Sequence, residues 1–174
     1  DNFKQINDTY GHTSGDQALV EFADLLKRMI RQGDYLVRWG GEEFLVILRA
    51  VHYDQVAPYA ERLWKAVQQY RFATPDDRTL RVTCSLGIAE SPFYGDDPDA
   101  FDWESVVTLA DRAMYSIKRS GRNGCAIVRP MPGVPASILK LHLDKGHDWL
   151  VEQRMLQVIT YRQSPPVAAP AAQA

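Results

Sequence analysis

Two glycines followed by two glutamates, Gly40-Gly41-Glu42-Glu43, stand between two short apolar runs, Tyr35-Leu36-Val37 and Phe44 to Leu48. Both runs are strand-sized and the glycine pair suits a tight reversal, so the segment reads as a β-hairpin. A hairpin commits the chain to antiparallel pairing, because neighbouring parallel strands need a long crossover. At the tip, the glycines are expected to let the backbone take positive φ and to let a bulky ligand approach closely. The paired carboxylates suit a place where a divalent metal meets a phosphate. Read alone, Glu42-Glu43 is equally a solvated acidic turn.

Around the hairpin the apolar residues alternate between helical and strand spacing. Phe3, Ile6 and Tyr10 predict a short helix closed by Gly11, with Lys4 and Asn7 one turn apart on its other face. A second helix is expected from Ser14 to Arg31, on the stripe Ala18, Leu19, Phe22, Leu25, Leu26, Met29 and Ile30. A third runs from Asp54 to Tyr70, followed by a turn at Thr74-Pro75-Asp76-Asp77. Leu80 to Ile88 then alternates as one long strand, with Thr83, Ser85 and Gly87 making a face of small residues that a helix or ligand could approach closely. Asp102 is placed to cap a fourth helix that Gly121 ends, and Cys125 to Val128 is a short strand. The order is that of an α/β (α+β) domain whose sheet contains antiparallel pairs. Beyond Arg129, residues 143–153 suggest a helix and 156–161 a strand, without a functional reading.

Hydrophobic residues make up 45% of the 174-residue chain and charged ones 24%, enough for one ordinary core. The net charge of −2 gives no general attraction to nucleic acid or to an anionic membrane, so any polyanion site must be local. No apolar run approaches membrane-spanning length. Cys84 and Cys125 lack metal-ligand spacing and read as small buried hydrophobes in a reducing compartment. The opening residues Asp1-Asn2-Phe3-Lys4 read as the interior of an element, so the parent protein is expected to continue upstream. Residues 164–174, rich in proline and alanine, are expected to be disordered.

Three further clusters could carry chemistry, each with a plain structural alternative. Lys118 and Arg122 flank the end of the fourth helix, where cations could hold phosphate or simply complement the helix dipole. Asn7 and Asp16 could read a guanine edge or cap adjacent helices. Arg31 and Asp34 form an R-x-x-D that means little in isolation.

Taken together, these stretches resemble the GGDEF-domain diguanylate cyclases, in the GGEEF variant. The resemblance rests on residues 1–12 with Gly15-Asp16, on Arg38 to Phe44, on Val82 to Ile88, and on Ala110 to Tyr115 with Lys118, Gly121, Arg122 and Asn123. It covers residues 1–129, leaving 130–163 as an extension of unknown role. It implies a palm-like nucleotidyl-cyclase fold, with a mostly antiparallel central sheet flanked by helices. The implied activity condenses two GTP molecules into cyclic di-GMP and two pyrophosphates, with Mg²⁺ or Mn²⁺, across a two-fold homodimer. Asn7 and Asp16 would bind guanine. Lys4, Lys118 and Arg122 would hold phosphates, with Lys4 stabilising transition-state charge. Gly40 and Gly41 would let the nucleotide lie against the hairpin. Glu42 would ligate metal and help deprotonate the attacking 3′-hydroxyl, and Glu43 would assist at a second metal. Arg31, Asp34 and Arg62 match the family's product-inhibition site.

The family pattern also places a metal-binding aspartate two positions before the residue that matches Asp1, on a first strand that this chain lacks. The resemblance further implies a cytoplasmic output domain, without nucleic-acid binding or direct membrane insertion, set by an upstream sensor or dimerisation region. The rival expectations are a non-catalytic receptor for GTP or cyclic di-GMP, and a scaffold involving residues 130–162.

Overall fold

The computed structural model describes residues 1–75 and 78–162; Asp76, Asp77 and the proline- and alanine-rich tail lie outside the described residues. Helices α1 (Phe3–Tyr10) and α2 (His12–Met29) are separated by Gly11 alone, whose φ of +84° turns the chain between them. The second helix therefore starts before Ser14, because one residue both ends α1 and opens α2. Strands β1 (Tyr35–Arg38) and β2 (Phe44–Ile47) form the expected antiparallel hairpin, with Tyr35 opposite Ile47 and Arg38 opposite Phe44. Helix α3 (Tyr53–Gln69) follows, then the short antiparallel pair β3 (Phe72–Ala73) and β4 (Thr79–Leu80).

The single strand expected from Leu80 to Ile88 is two elements. Leu80 ends β4, whereas β5 (Ser85–Ala89) belongs to another sheet, paired in parallel with β6 (Gly124–Pro130). Alternation sets which face a residue takes but not which partner the strand finds, so the exchange of partners left no mark in the pattern. Helix α4 (Trp103–Arg119) makes the crossover from β5 to β6. Asp102 caps it as expected, its carboxylate accepting from the Ser105 N–H at 2.8 Å.

Residues 130–162 hold α5 (Ala136–Leu141), a 3-10 turn (Leu143–Lys145), α6 (His147–Glu152) and β7 (Leu156–Arg162). The helix expected over 143–153 is broken at Gly146, where φ is +89°. Helix α5 was not anticipated. Strand β7 lies antiparallel to β6 over its whole length, from Gly124 opposite Arg162 to Pro130 opposite Leu156.

One buried cluster joins Leu109, Ala113 and Ile117 of α4 to Phe93, Phe101, Leu139, Leu150 and Leu156. Residues beyond 130 thus share a core with α4. The opposite face of β5 and β6 packs on Ala60 of α3 through Cys125, Ile127, Leu86 and Ile88. A third cluster, around Trp64, Val67 and Phe72, joins α2 to α3 and the β3–β4 pair. Both cysteines are buried, and burial pushes each thiol up to about 12. The small-residue face of β5 serves helix packing: a Cβ on Gly87 would stand 1.9 Å from the Ala110 carbonyl oxygen of α4.

Of the strand pairings among the described residues only β5–β6 is parallel, in keeping with a mostly antiparallel α+β domain flanked by helices. The strands fall into separate sheets, and among the described residues none bridges β2 and β5. A groove of about 140 Å³ lies there instead, lined by Phe44 and Val46 of β2, Ser85 and Leu86 of β5, and Phe22 and Leu26 of α2.

Candidate functional site

The hairpin tip is closed by its own backbone. The Trp39 N–H donates to the Glu43 carbonyl at 2.8 Å, and the Arg38 guanidinium donates to the Gly41 carbonyl at 2.6 Å. Neither Gly40 nor Gly41 is left-handed, contrary to expectation, because this wider turn spreads the reversal over several residues. Their value is space: a Cβ on Gly41 would meet nothing within 4 Å, and one on Gly40 only the Glu43 side chain at 3.3 Å and beyond. A ligand could therefore lie directly on this backbone.

The tip meets the end of α4. Lys118 Nζ bonds Glu43 Oε1 at 3.1 Å, with both side chains partly shielded from water. Glu42 is exposed and has no hydrogen-bond partner among the described residues. Glu42, Lys118 and Arg122 all lie close enough to Asp1 for their charges to act on it. The three thus bear electrostatically on one point at the head of α1.

The Asp1 carboxylate is committed to structure. It accepts from Ser85 Oγ at 2.7 Å, Thr83 Oγ1 at 3.0 Å and the Asn123 backbone N–H at 3.1 Å. Among the described residues, no three His, Cys, Asp or Glu side chains gather into a metal-holding group. Glu42 and Glu43 are hard oxygen donors of the kind Mg²⁺ or Mn²⁺ prefers, so the donor chemistry fits. Their number is incomplete, and Lys118 already occupies one carboxylate.

On the other side of the site, neither Asn7 nor Asp16 caps a helix; each lies within one. Asn7 Oδ1 is buried with no hydrogen-bond partner. Gly15 makes room for it, since a Cβ there would stand 1.8 Å from that atom. Asp16 is exposed and lines a shallow depression with Leu36 and Arg38 of the hairpin. Lys4 projects from α1 without a hydrogen bond or ion pair to any described residue.

The R-x-x-D lies in the connection from α2 to β1. Asp34 accepts from the Arg31 N–H at 2.8 Å and the Arg49 N–H at 2.9 Å. These backbone donors, Arg49 first, hold its carboxyl below the usual range. Tyr59 is the neighbour that sequence reasoning missed. Its hydroxyl donates to the Met29 carbonyl at 3.3 Å, and the Arg62 guanidinium lies 5.1 Å above its ring. Burial raises the Tyr59 pKa, and the charges of Arg62, Asp34 and Arg31 all act on it. The three residues expected at the product site are therefore gathered around one aromatic ring.

The family model for the diguanylate cyclase GGDEF domain matches residues 1–124. This chain belongs to the GGDEF family. Diguanylate cyclase A of Treponema denticola is 39% identical over 123 residues, which are 71% of this chain and 32% of that protein. Among solved structures, the diguanylate cyclase SiaD of Pseudomonas aeruginosa, in complex with its activator SiaC, is 38% identical with a TM-score of 0.64. That match covers 73% of this chain and 46% of SiaD. The GGDEF domain of DgcB from Caulobacter crescentus, in complex with c-di-GMP, is 31% identical with the same TM-score, covering 73% of this chain and 72% of that domain. The chain spans about a third of Treponema cyclase A and a quarter of the Escherichia coli diguanylate cyclase DosC. Among the described residues, no helix is long and apolar enough to cross a membrane.

Proposed function

We propose that the chain is the catalytic domain of a diguanylate cyclase, which joins two GTP molecules into cyclic di-GMP with release of two pyrophosphates. The observation that carries this reading is the Lys118–Glu43 bond at 3.1 Å, which brings the acidic hairpin tip against the cationic end of α4. Phosphoryl transfer is mostly positioning and charge neutralisation, so acidic metal ligands and phosphate-binding cations must stand side by side. Membership in the family and the likeness to DgcB, solved with c-di-GMP, support the same conclusion.

In this reading Asn7 and Asp16 hold the guanine, with the unpartnered Asn7 oxygen gaining a donor from the base. Lys118 and Arg122 bind the phosphates, and Lys4 is free to swing onto the developing charge. Gly40 and Gly41 let the nucleotide lie against the hairpin. Glu42, which faces solvent without a partner among the described residues, would take the proton from the attacking 3′-hydroxyl. A bound Mg²⁺ or Mn²⁺ would acidify that hydroxyl and neutralise the leaving pyrophosphate. Glu42 and Glu43 would hold it, together with the aspartate that the family pattern places upstream. The hydroxyl and the α-phosphorus come from GTP on facing domains, so catalysis requires a homodimer, assembled by an upstream sensor or dimerisation region.

Arg31, Asp34 and Arg62 would bind cyclic di-GMP as a feedback inhibitor. Asp34 is occupied by backbone donors, so the arginines carry the phosphate contacts. Arg31→Ala is expected to relieve product inhibition while leaving the initial rate unchanged. Full inhibition in that variant would exclude the site.

A second reading, a receptor that binds nucleotide without turnover, draws on the incomplete set of acidic ligands. Incubating the full-length protein with GTP and Mg²⁺ and assaying for cyclic di-GMP separates the two. Cyclic di-GMP in step with pyrophosphate release supports the cyclase. GTP binding by a dimeric sample that forms no product supports the receptor.

A further inference from the structure

Arg122 leaves α4 in an unusual way. Gly121 ends the helix with φ +110°, and the Arg122 N–H returns to the Ile117 carbonyl at 2.8 Å, a Schellman closure. The chain does not then relax. Arg122 (φ +63°) and Asn123 (φ +49°) are both left-handed, immediately before β6 begins at Gly124. Consecutive non-glycine residues hold that conformation only where their surroundings over-determine it.

At Asn123 the restraints are explicit. Its backbone N–H donates to Asp1 Oδ2 at 3.1 Å, and Asp1 is itself tied to Thr83 and Ser85. Its side-chain oxygen accepts from Trp64 Nε1 at 3.0 Å and from Gln68 Nε2 at 2.7 Å, two donors one turn apart on α3. Trp64 is only 4% exposed, so the α3 anchor is fixed in the core. Asn123 is thereby clamped between the head of α1 and the buried face of α3, while its neighbour Arg122 is exposed.

We propose that Asn123 is a positioning residue for Arg122: its amide locks the left-handed turn, so that the guanidinium leaves α4 in the direction that meets the GTP phosphates. This rests on the cyclase reading of Arg122 and adds to it a residue that touches no substrate. Asparagine suits the place because it tolerates the left-handed region and supplies an acceptor to both α3 donors.

A double-mutant cycle in the full-length protein tests this. Asn123→Gly keeps the backbone freedom but removes the acceptor; it should raise the KM for GTP on the order of tenfold with a smaller loss in kcat. Asn123→Asp, which keeps an acceptor for Trp64 and Gln68, should recover most of that loss. In an Arg122→Ala background, Asn123→Gly should cost almost nothing further. An equal loss in both backgrounds, or no loss in the wild type, would overturn the assignment. Should the wild type form no cyclic di-GMP, the cyclase reading fails, and the same cycle measured on GTP affinity still decides the role of Asn123.

Discussion

Glu42 and Glu43 are neighbours in sequence with opposite surroundings. Glu43 is partly shielded and paired with Lys118, whereas Glu42 is exposed and unpartnered. Both lie in the turn before β2, which leaves one carboxylate against Lys118 and the other facing water, so in the cyclase reading Glu42 is the freer of the two to move a proton. Glu42→Gln is expected to lower cyclic di-GMP formation by at least about a hundredfold. The same change should move unfolding free energy by no more than about 0.5 kcal/mol, as measured by urea denaturation. A similar contrast holds on the proposed guanine side, where Asn7 Oδ1 is buried without a partner and Asp16 is exposed. Gly15→Ala would drive a Cβ into Asn7 and is expected to weaken GTP at least about tenfold in a binding titration, worth roughly 1.4 kcal/mol. Unchanged affinity would remove Asn7 from the nucleotide site. The residue types were legible in the sequence; the burial of Asn7 Oδ1 and the Lys118–Glu43 bond were not, because both depend on contacts between distant elements.

Among the elements, the connection from α2 to β1 shows how a motif can carry structure and function together. Asp34 ties the end of α2 to Arg49 after β2, using backbone donors on both sides. Its carboxyl is held below its ordinary pKa, so the carboxylate contributes stability at neutral pH. That contribution is present above the unfolded-state pKa and is lost as pH falls through the folded-state value. Urea midpoints measured from about pH 5 down to pH 2 should therefore decline less steeply in Asp34→Asn than in the wild type. Equal slopes would show that Asp34 contributes nothing to the acid sensitivity of the fold. The hairpin, the helices α1 to α4 and the Asp102 cap followed from periodicity and capping chemistry. The split between β4 and β5 did not, since one alternating run serves two sheets.

For the whole molecule, the notable feature is how residues beyond the family match are used. The family model ends at Gly124, yet β7 pairs along all of β6, and Leu139, Leu150 and Leu156 fill the same core as Leu109 and Ile117. Leu150→Ala is expected to cost about 2–5 kcal/mol, close to the cost of emptying any fully buried leucine site. A thermal midpoint indistinguishable from wild type would mean that the segment is an appendage.

The sequence by itself determined the elements that rest on local chemistry: the glycine-tipped hairpin, the amphipathic helices, the capped start of α4 and the identity of the charged groups at the site. Spacing and residue type are local properties, and they survive without knowledge of any partner. Only the tertiary structure decided that β4 and β5 part company, that residues 130–162 complete the core, that Gly40 and Gly41 offer space rather than left-handed backbone, and that Asn123 is clamped between Asp1 and α3. Each of these depends on which distant groups come within bonding or packing distance, and periodicity along a chain carries no record of that.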